Sequence, residues 1–272
     1  MKTIIVATDY SSTAENAVHY AANLAQVFQA ELVLFNVFHP SIHVSNSLVS
    51  PEVIDHLLEN NATRLQDLAH DTARQYRINV SAVSKAVDTV EALEDYTTAH
   101  PVDLVVMGMD SDLMEYKWFG NTTTAAIKRL RAPLLVVPND ISFDGIKKIL
   151  YACEYTYLSE DNHLDLLKEI TRKFAAELQI LHVETKAHDP VVVDQHITAM
   201  DAIIEDVDHT YRFIGHSTVE QGIIDGVETW GADLLVMVPH RPGFWELLIN
   251  GSATREVTLR TRVPLLVLPN AR

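Results

Sequence analysis

The second half of this 272-residue sequence repeats the first, and no other feature constrains the fold as strongly. Residues 103–107 (DLVVM) return as 233–237 (DLLVM), and residues 133–139 (PLLVVPN) return as 264–270 (PLLVLPN). The two offsets, 130 and 131, are nearly equal. Self-similarity at a nearly constant offset indicates a duplicated structural unit.

A third pair of matching segments lies at the start of each copy, where residues 4–10 (IIVATDY) correspond to 149–155 (ILYACEY) at a larger offset of 145, which indicates that the first copy is longer in its middle. Because the three pairs occur in the same order, we predict two tandem domains, at 1–140 and 146–272. The linker between them, 140–145 (DISFDG), is too short to let the two domains tumble independently.

Within each copy, short runs of Val, Ile and Leu alternate with longer segments of helical periodicity. This alternation predicts an α/β fold built from βαβ units, in which a five-stranded parallel sheet carries helices on both faces. The strands are predicted at 2–8, 32–38, 79–84, 104–108 and 134–137, and near 148–153, 178–184, 211–216, 234–238 and 265–268.

Polar residues before the apolar helical stripes predict where several helices begin. A capping box, in which two side chains satisfy backbone N–H groups of the first turn, is predicted for Ser12 with Glu15. The same argument assigns helix starts to three further groups, Ser50 with Pro51, Asp88 with Glu91, and Ser217 with Glu220.

The last strand of each copy would be a sheet edge that exposes unpaired backbone groups and Leu and Val side chains. We therefore predict that Leu134–Val137 pairs with Leu265–Val267, so that one chain forms an internal pseudo-dimer. Further association of the chain into a homodimer is left open.

Composition excludes several classes of function. The net charge of −16, divided evenly between the halves, repels nucleic acid and anionic membranes. The sequence contains no run of about 18 apolar residues and no signal-type N-terminus, and its single cysteine, Cys153, suits a reducing compartment, so we expect a cytoplasmic protein. The 13 histidines show no paired ligand spacing, so no metal site is predicted.

Four segments of the first half together resemble the universal stress protein family. They are 7–11 (ATDYS) after the first strand, 103–108 (DLVVMG) in the fourth, 120–123 (GNTT) before a helix, and 133–138 (PLLVVP) at the end. The resemblance extends over both copies. It implies Rossmann-like domains of the adenine nucleotide alpha hydrolase-like type, a role in stress response, and a site for ATP or AMP.

Carried over residue by residue, the resemblance implies a ribose contact for Asp9 and backbone adenine contacts for Thr8 and Val37. The family's phosphate loop follows the pattern Gly-x2-Gly-x9-Gly-Ser/Thr, in which glycine lets backbone N–H groups approach phosphate oxygens. Its expected positions in this chain are Gly108, Ser111, Gly120, Asn121 and Thr122.

The phosphate loop of the first half departs from that pattern. Ser111 stands at the second glycine, eight residues rather than nine precede Gly120, and Asn121 replaces Ser or Thr. Two readings of the acidic residues Asp110, Asp112 and Glu115 stay open, a magnesium ion beside the phosphates or a solvated acidic loop.

The second half departs further from the pattern. Glu154 stands at the position of Asp9, Val238 at that of Gly108, and Arg241 at that of Ser111, and only 251–254 (GSAT) retains the helix entry. Because a β-branched residue disfavours the backbone conformation that glycine permits, we expect no nucleotide in the second half.

Three functions therefore remain in competition. The first is a regulatory protein whose first domain senses ATP or AMP, and the second is an interaction scaffold whose two sites are inactive. The third is an enzyme of similar architecture, but the loop after the first strand lacks the HxGH and SGGxDS signatures of nucleotidyl-transfer enzymes. For a weak nucleotide hydrolase, no activated nucleophile or general base can be named.

Overall fold

A computed structural model describes residues 1–38, 50–86, 88–110, 121–153, 164–185, 190–238 and 263–269. Within these ranges the chain alternates strands and helices in the order that the sequence predicts. None of the described helices is both long and apolar enough to cross a membrane.

The first half contributes five strands and four helices in the described ranges. Their bounds are β1 Thr3–Ala7, α1 Ser12–Phe28, β2 Glu31–Val37, α2 Pro51–Tyr76, β3 Val80–Lys85, α3 Thr89–Ala99, β4 Leu104–Met109, α4 Asn121–Arg129 and β5 Leu134–Pro138.

The second half repeats this order over its own described ranges. Its elements are β6 Lys148–Ala152, α5 Asp165–Phe174, β7 Glu177–Glu184, α6 Pro190–Ile203, β8 His209–Gly215, α7 Val219–Trp230, β9 Leu234–Met237 and β10 Leu265–Val267. The strand ends lie within one or two residues of their predicted positions.

All ten strands form one continuous sheet, in the order β3-β2-β1-β4-β5-β10-β9-β6-β7-β8. Neighbours are parallel except at the centre, where β5 and β10 pair antiparallel with Leu135 opposite Leu266. The predicted fold class and the predicted pairing of the two terminal strands are confirmed. The exact domain limits, 1–140 and 146–272, stay a prediction.

Helices cover both faces of the sheet. Successive residues of a strand point to opposite faces, and in these strands both sets of side chains are apolar. On one face, Ile4 and Val6 pack with Leu24 of α1 in a core cluster that continues into the second half. On the other face, Ile5 packs in a separate cluster with Leu93 of α3. Each fully buried side chain of this size contributes about 1.5–3 kcal/mol to folding.

Equivalent aspartates hold the start of the central strand in each half. Oδ2 of Asp103 accepts hydrogen bonds from the backbone N–H groups of Lys2 and Thr3, at 2.6 and 2.9 Å. Oδ2 of Asp233 accepts from Lys147 and Lys148, at 2.9 Å each. The aspartate that begins both the DLVVM and the DLLVM segment therefore has the same structural role in the two halves.

The linker packs against the first half. Nδ2 of Asn16 in α1 donates to the carbonyls of Pro138 and Ile141, at 2.9 Å each. The ring of Phe143 meets that of Tyr20 edge to face, with centroids 5.0 Å apart. These contacts hold the short connection against α1.

Two predicted helix caps are wrong by one residue. The cap of α1 is Ser11, not Ser12, because its Oγ accepts from the Ala14 N–H at 3.2 Å. Glu15 then lies one position too far along the helix to complete a capping box. Oδ1 of Asp9 accepts from the Ser11 N–H at 3.0 Å, and this turn sets the earlier start.

The cap of α7 is Thr218, not Ser217, because Oγ1 of Thr218 accepts from the Gln221 N–H at 3.3 Å. Glu220 lies in the first turn of the helix. The cap predicted at Asp88 is confirmed, since its Oδ1 accepts from Val90 and Glu91. Ser50 precedes Pro51 as predicted, but its side chain makes no capping hydrogen bond.

Candidate functional site

The strand-end residues predicted for the first half lie together at one edge of the sheet. β1 lies between β2 and β4, with Ala7 opposite Phe35 and Val6 opposite Val106. Continuing this register by one or two residues brings Thr8 and Asp9 between Val37 and Gly108. This edge is the carboxyl end of three parallel strands, where α/β sheets bind ligands.

Asp9 lies at the point where the strand order reverses direction, because the chain continues from β1 to β2 on one side and later to β4 on the other. Its carboxylate is exposed. Oδ1 accepts from the Ser11 N–H, and no hydrogen bond to Oδ2 occurs among the described residues. The carboxylate is therefore free to meet a donor from solvent or ligand.

The side chain of Thr8 is buried, and its backbone is engaged inside the domain. Its N–H donates to the Phe35 carbonyl at 2.9 Å, and its carbonyl accepts from Nδ2 of Asn36 at 2.7 Å. Its Oγ1 accepts from the Tyr10 N–H at 3.2 Å. Tyr10 has a positive φ of 64°, a conformation that non-glycine residues adopt only where the surroundings enforce it.

Gly108 lies where α1 crosses β4. A Cβ atom at this position would lie 2.5 Å from the carbonyl oxygen of Thr13, in the first turn of α1. The close approach of the helix therefore requires glycine at this strand position, whether or not a ligand approaches the same backbone.

The helix predicted after the phosphate loop begins at Asn121, and Thr122 follows in its first turn with an exposed side chain. Ser111 and Gly120 lie outside the described residues, as do Asp112 and Glu115. Oδ1 of Asp110 lies 3.4 Å from Nδ2 of Asn139. Over the described ranges, no group of three or more His, Cys, Asp or Glu side chains is arranged to hold a metal ion.

A buried polar cluster beneath this edge was not predicted. Asn36 of β2 and Asn61 of α2 are 2% and 7% exposed, which leaves almost no water for their amides. Nδ2 of Asn61 donates to Oδ1 of Asn36 at 2.8 Å and to Oγ of Ser84 at 3.0 Å. One signal was available, because Asn36 is the only polar residue between Leu32 and Val37.

Tyr10 joins this cluster to the surface. Its hydroxyl donates to Oδ1 of Asn61 at 3.2 Å, and the guanidinium carbon of Arg64 lies 3.9 Å from the centroid of its ring. Burial raises the pKa of Tyr10, and the charge of Arg64 opposes that rise. The phenol is therefore a neutral hydrogen-bond donor at physiological pH.

The corresponding edge of the second half differs in composition. Val238 is buried at the position of Gly108. His182 stands at the position of Asn36, with its Nδ1 3.2 Å from the Cys153 carbonyl oxygen. Glu154, Arg241 and the segment 251–254 lie outside the described residues.

Comparison with known proteins relates the chain to one family. Residues 1–138 match the sequence profile described as the universal stress protein family. No curated protein matches the sequence.

A universal stress protein from Archaeoglobus fulgidus DSM 4304 superposes with a TM-score of 0.75 at 17% identity, covering 99% of this chain and 98% of that one. A protein from Pseudomonas aeruginosa UCBPP-PA14, provisionally named a universal stress protein, superposes with a TM-score of 0.62 at 16% identity, covering 99% and 93%. These two likenesses span both halves and concern the fold. An AMP-bound family protein from Arabidopsis thaliana aligns with 51% of this chain and 92% of its own, with a TM-score of 0.38 at 14% identity.

Proposed function

This chain belongs to the universal stress protein family, and on that premise we propose that its first half binds one molecule of ATP or AMP while its second half binds none. The protein would act in the stress response by changing state with its nucleotide rather than by catalysing a reaction. The family assignment rests on residues 1–138, and the nucleotide assignment rests on the site described above.

The observation that carries the proposal is the position of Asp9. An exposed carboxylate directly after β1, at the reversal of strand order, can accept hydrogen bonds from the two hydroxyl groups of a ribose. A charged acceptor makes such bonds about twice as strong as a neutral one. The neighbouring ends of β1 and β2 support an adenine contact by Val37, whereas the N–H and the carbonyl of Thr8 already bond to Phe35 and Asn36. The adenine contact of Thr8 stays a prediction.

The start of α4 supports the phosphate end of the proposal. Asn121 and Thr122 open a nine-residue helix, whose first N–H groups lack partners within the helix and carry partial positive charge. AMP or ATP would direct its phosphates toward these groups. We propose that magnesium, if it takes part, enters with the phosphates of ATP near Asp110.

The second half lacks the features that support binding in the first. Val238 is 5% exposed and packs in the core cluster, so a buried isopropyl group stands where the first half has glycine. Glu154 also has a carboxylate, on a side chain one methylene group longer than that of Asp9. Both differences support a single site per chain.

One specific observation favours a second candidate, an interaction scaffold that binds no nucleotide. Gly108 is required by its contact with Thr13, and Asp9 closes a turn onto Ser11, so both residues have internal roles. A scaffold would retain them for the fold alone. A binding experiment on the full chain separates the two candidates.

Isothermal titration with AMP and with ATP plus magnesium should give one nucleotide per chain. Asp9→Asn retains an oxygen for the Ser11 N–H but removes the charge, so it tests the ribose contact without opening the turn. We expect it to weaken binding at least about tenfold, which corresponds to one charge-assisted hydrogen bond. Glu154→Ala is the matched control and should bind as the wild type does.

Two nucleotides per chain would contradict the single-site proposal, and no binding at millimolar AMP or ATP would favour the scaffold. Release of inorganic phosphate from ATP would instead indicate a hydrolase. We further propose a cytoplasmic setting, because a chain with a single cysteine, Cys153, suits a reducing compartment. Homodimerisation stays a prediction.

A further inference from the structure

We propose that Asn36 and Thr8 are positioning residues. Their side chains end the β1–β2 backbone hydrogen-bond ladder one step early, and this leaves the peptide N–H and C=O of Val37 available to a ligand. This inference rests on the proposed nucleotide site. It assigns a role to Asn36 and to the hydroxyl of Thr8, beyond the strand-end contacts implied by the family resemblance.

The hydrogen bonds at the end of the two strands carry the inference. The peptide groups of alternate β2 residues face β1, as the bonds from the Glu31 N–H to Lys2 and from the Thr8 N–H to the Phe35 carbonyl establish. The next residue facing β1 is Val37. A continuing parallel ladder would bond its N–H to the Thr8 carbonyl and its carbonyl to the Tyr10 N–H.

Side chains take both of those partners instead. Nδ2 of Asn36 donates to the Thr8 carbonyl at 2.7 Å, and Oγ1 of Thr8 accepts from the Tyr10 N–H at 3.2 Å. Among the described residues, no backbone hydrogen bond joins Val37 to Thr8 or Tyr10. The donor and the acceptor of Val37 therefore face the gap beside Asp9.

The cluster around Asn61 fixes the orientation of the Asn36 amide. Because Nδ2 of Asn61 donates to Oδ1 of Asn36 at 2.8 Å, the oxygen of Asn36 faces α2 and its NH₂ group faces Thr8. Asn61 is held in turn by Ser84 and by the Tyr10 hydroxyl. A buried amide that is hydrogen-bonded through both its oxygen and its nitrogen has one favoured orientation, so the early end of the ladder is built into the core.

The arrangement has a consequence for base selectivity. Adenine presents an acceptor, N1, beside a donor, its 6-amino group, which complements an N–H and a C=O from one strand residue. Guanine presents a donor beside an acceptor at the same edge, so its donor would face the N–H of Val37 and its acceptor would face the C=O. Freeing Val37 therefore favours AMP over GMP.

Amide hydrogen exchange in the nucleotide-free wild type tests the structural claim without any variant. The Val37 amide should exchange at least about tenfold faster than the Phe35 amide, which lies in the paired part of β2. Equal protection of the two amides would overturn the inference, because the ladder would then continue to Val37.

Asn36→Leu tests the cause. Without the amide donor, the Thr8 carbonyl should accept a hydrogen bond from the Val37 N–H. Exchange of the Val37 amide should then slow about tenfold, and AMP binding should weaken by at least about as much. Asn36→His, the residue found at the equivalent position 182, can donate again and should recover most of the affinity. Gln179→Leu, a matched loss of a buried amide in the second half, should leave AMP binding unchanged.

AMP affinity and AMP-over-GMP preference equal to those of the wild type in Asn36→Leu would overturn the inference. If the wild type binds no nucleotide, the proposed function fails, yet the exchange rates of Val37 and Phe35 still decide whether Asn36 ends the ladder. The two failures are therefore distinguishable.

Discussion

Phe28 and Phe174 occupy equivalent positions in the two halves, and their rings meet edge to face with centroids 5.9 Å apart. Each residue ends its helix and is followed by a residue of left-handed backbone, Gln29 or Ala175. Phe143 of the linker lies 6.0 Å from Phe174, measured between ring centroids. Because equivalent residues touch each other, they lie beside the approximate twofold axis that relates the halves.

This contact should contribute measurably to stability. Phe28 is buried, so Phe28→Ala should lower the free energy of unfolding by about 3 kcal/mol, through lost burial and the cavity left behind. Urea denaturation followed by circular dichroism measures the loss. Phe213→Ala is the control, because the 38% exposed ring of Phe213 should leave a much smaller effect.

The pair can also be tested for direct coupling. A double-mutant cycle of Phe28→Ala and Phe174→Ala should give a coupling energy of about 1 kcal/mol, as expected for an edge-to-face aromatic pair. Additive losses would indicate that the two rings stabilise their own halves independently.

The equivalent aspartates should contribute equally to the two halves. Asp103→Ala and Asp233→Ala each remove an acceptor of two backbone N–H groups, so each should lower the free energy of unfolding by about 1.5–3 kcal/mol. Asp67→Ala, at an exposed position of α2, is the control and should change little. A loss confined to one of the two variants would mean that the repeated aspartate has different roles in the two copies.

Helix C-termini offer a matched pair of opposite substitutions. Ala175 and Gly231 both follow a helix, with φ values of 49° and 66°. Because glycine relieves left-handed strain, Ala175→Gly should stabilise by about 0.5 kcal/mol, whereas Gly231→Ala should destabilise by about 1 kcal/mol. A Cβ at Gly231 meets nothing within 4 Å, so thermal unfolding would report the backbone effect alone.

Stability should depend on pH through Asp201. A hydrogen bond from Tyr211, at 2.6 Å, and then one from His209 lower the pKa of Asp201. A lowered folded-state pKa stabilises the protein above the ordinary Asp value of about 3.9, and this stabilisation is lost as the pH falls through the folded-state pKa. The wild type should therefore exceed Asp201→Asn in stability at pH 7, and the difference should shrink below about pH 4.

Tyr211→Phe checks the assigned cause. It removes the principal hydrogen-bond donor to Asp201, so its free energy of unfolding should be lower than that of the wild type. This difference should shrink over the same acidic range. Chemical denaturation at a series of pH values measures both variants. A deficit that stays constant from pH 7 to pH 3 would assign the effect to packing rather than to the carboxylate.

Nucleotide binding should raise thermal stability. AMP at about a hundred times its dissociation constant should add about 2.7 kcal/mol to the free energy of unfolding of the unit that binds it. Calorimetry should therefore record a melting temperature several degrees higher, and Asp9→Asn should lose most of that rise. A comparable rise in Asp9→Asn would place the ligand elsewhere.

The order of elements and the central strand pairing were predictable because each depends on signals local in sequence or on the repeat. The pairing of the strands that begin at Leu134 and Leu265 required only two apolar edge strands, each preceded by a proline. The strand-end position of Asp9 followed equally from the end of an apolar run. The caps at Ser11 and Thr218 were missed because each adjoins another hydroxyl residue, and a backbone turn decides between the two.

The polar cluster could not be predicted from the sequence, because its partners come from distant elements. Asn61 lies 25 residues from Asn36, and Tyr10 lies 51 residues from Asn61. Asn61 reads in sequence as one polar residue of a long amphipathic helix, and only packing brings it onto the sheet. The contact of Gly108 with Thr13 likewise depends on how closely α1 crosses β4, and no local sequence pattern encodes that distance.

The position of β10 between β5 and β9 has a consequence for synthesis of the chain. A ribosome completes β5 at Pro138 and reaches Leu265 only after more than a hundred further residues, a delay on the order of ten seconds. Throughout that interval the edge of β5 has no partner from its own chain. Neighbouring nascent chains on one messenger could therefore exchange their last strands, and the centre of the sheet is where such exchange would begin.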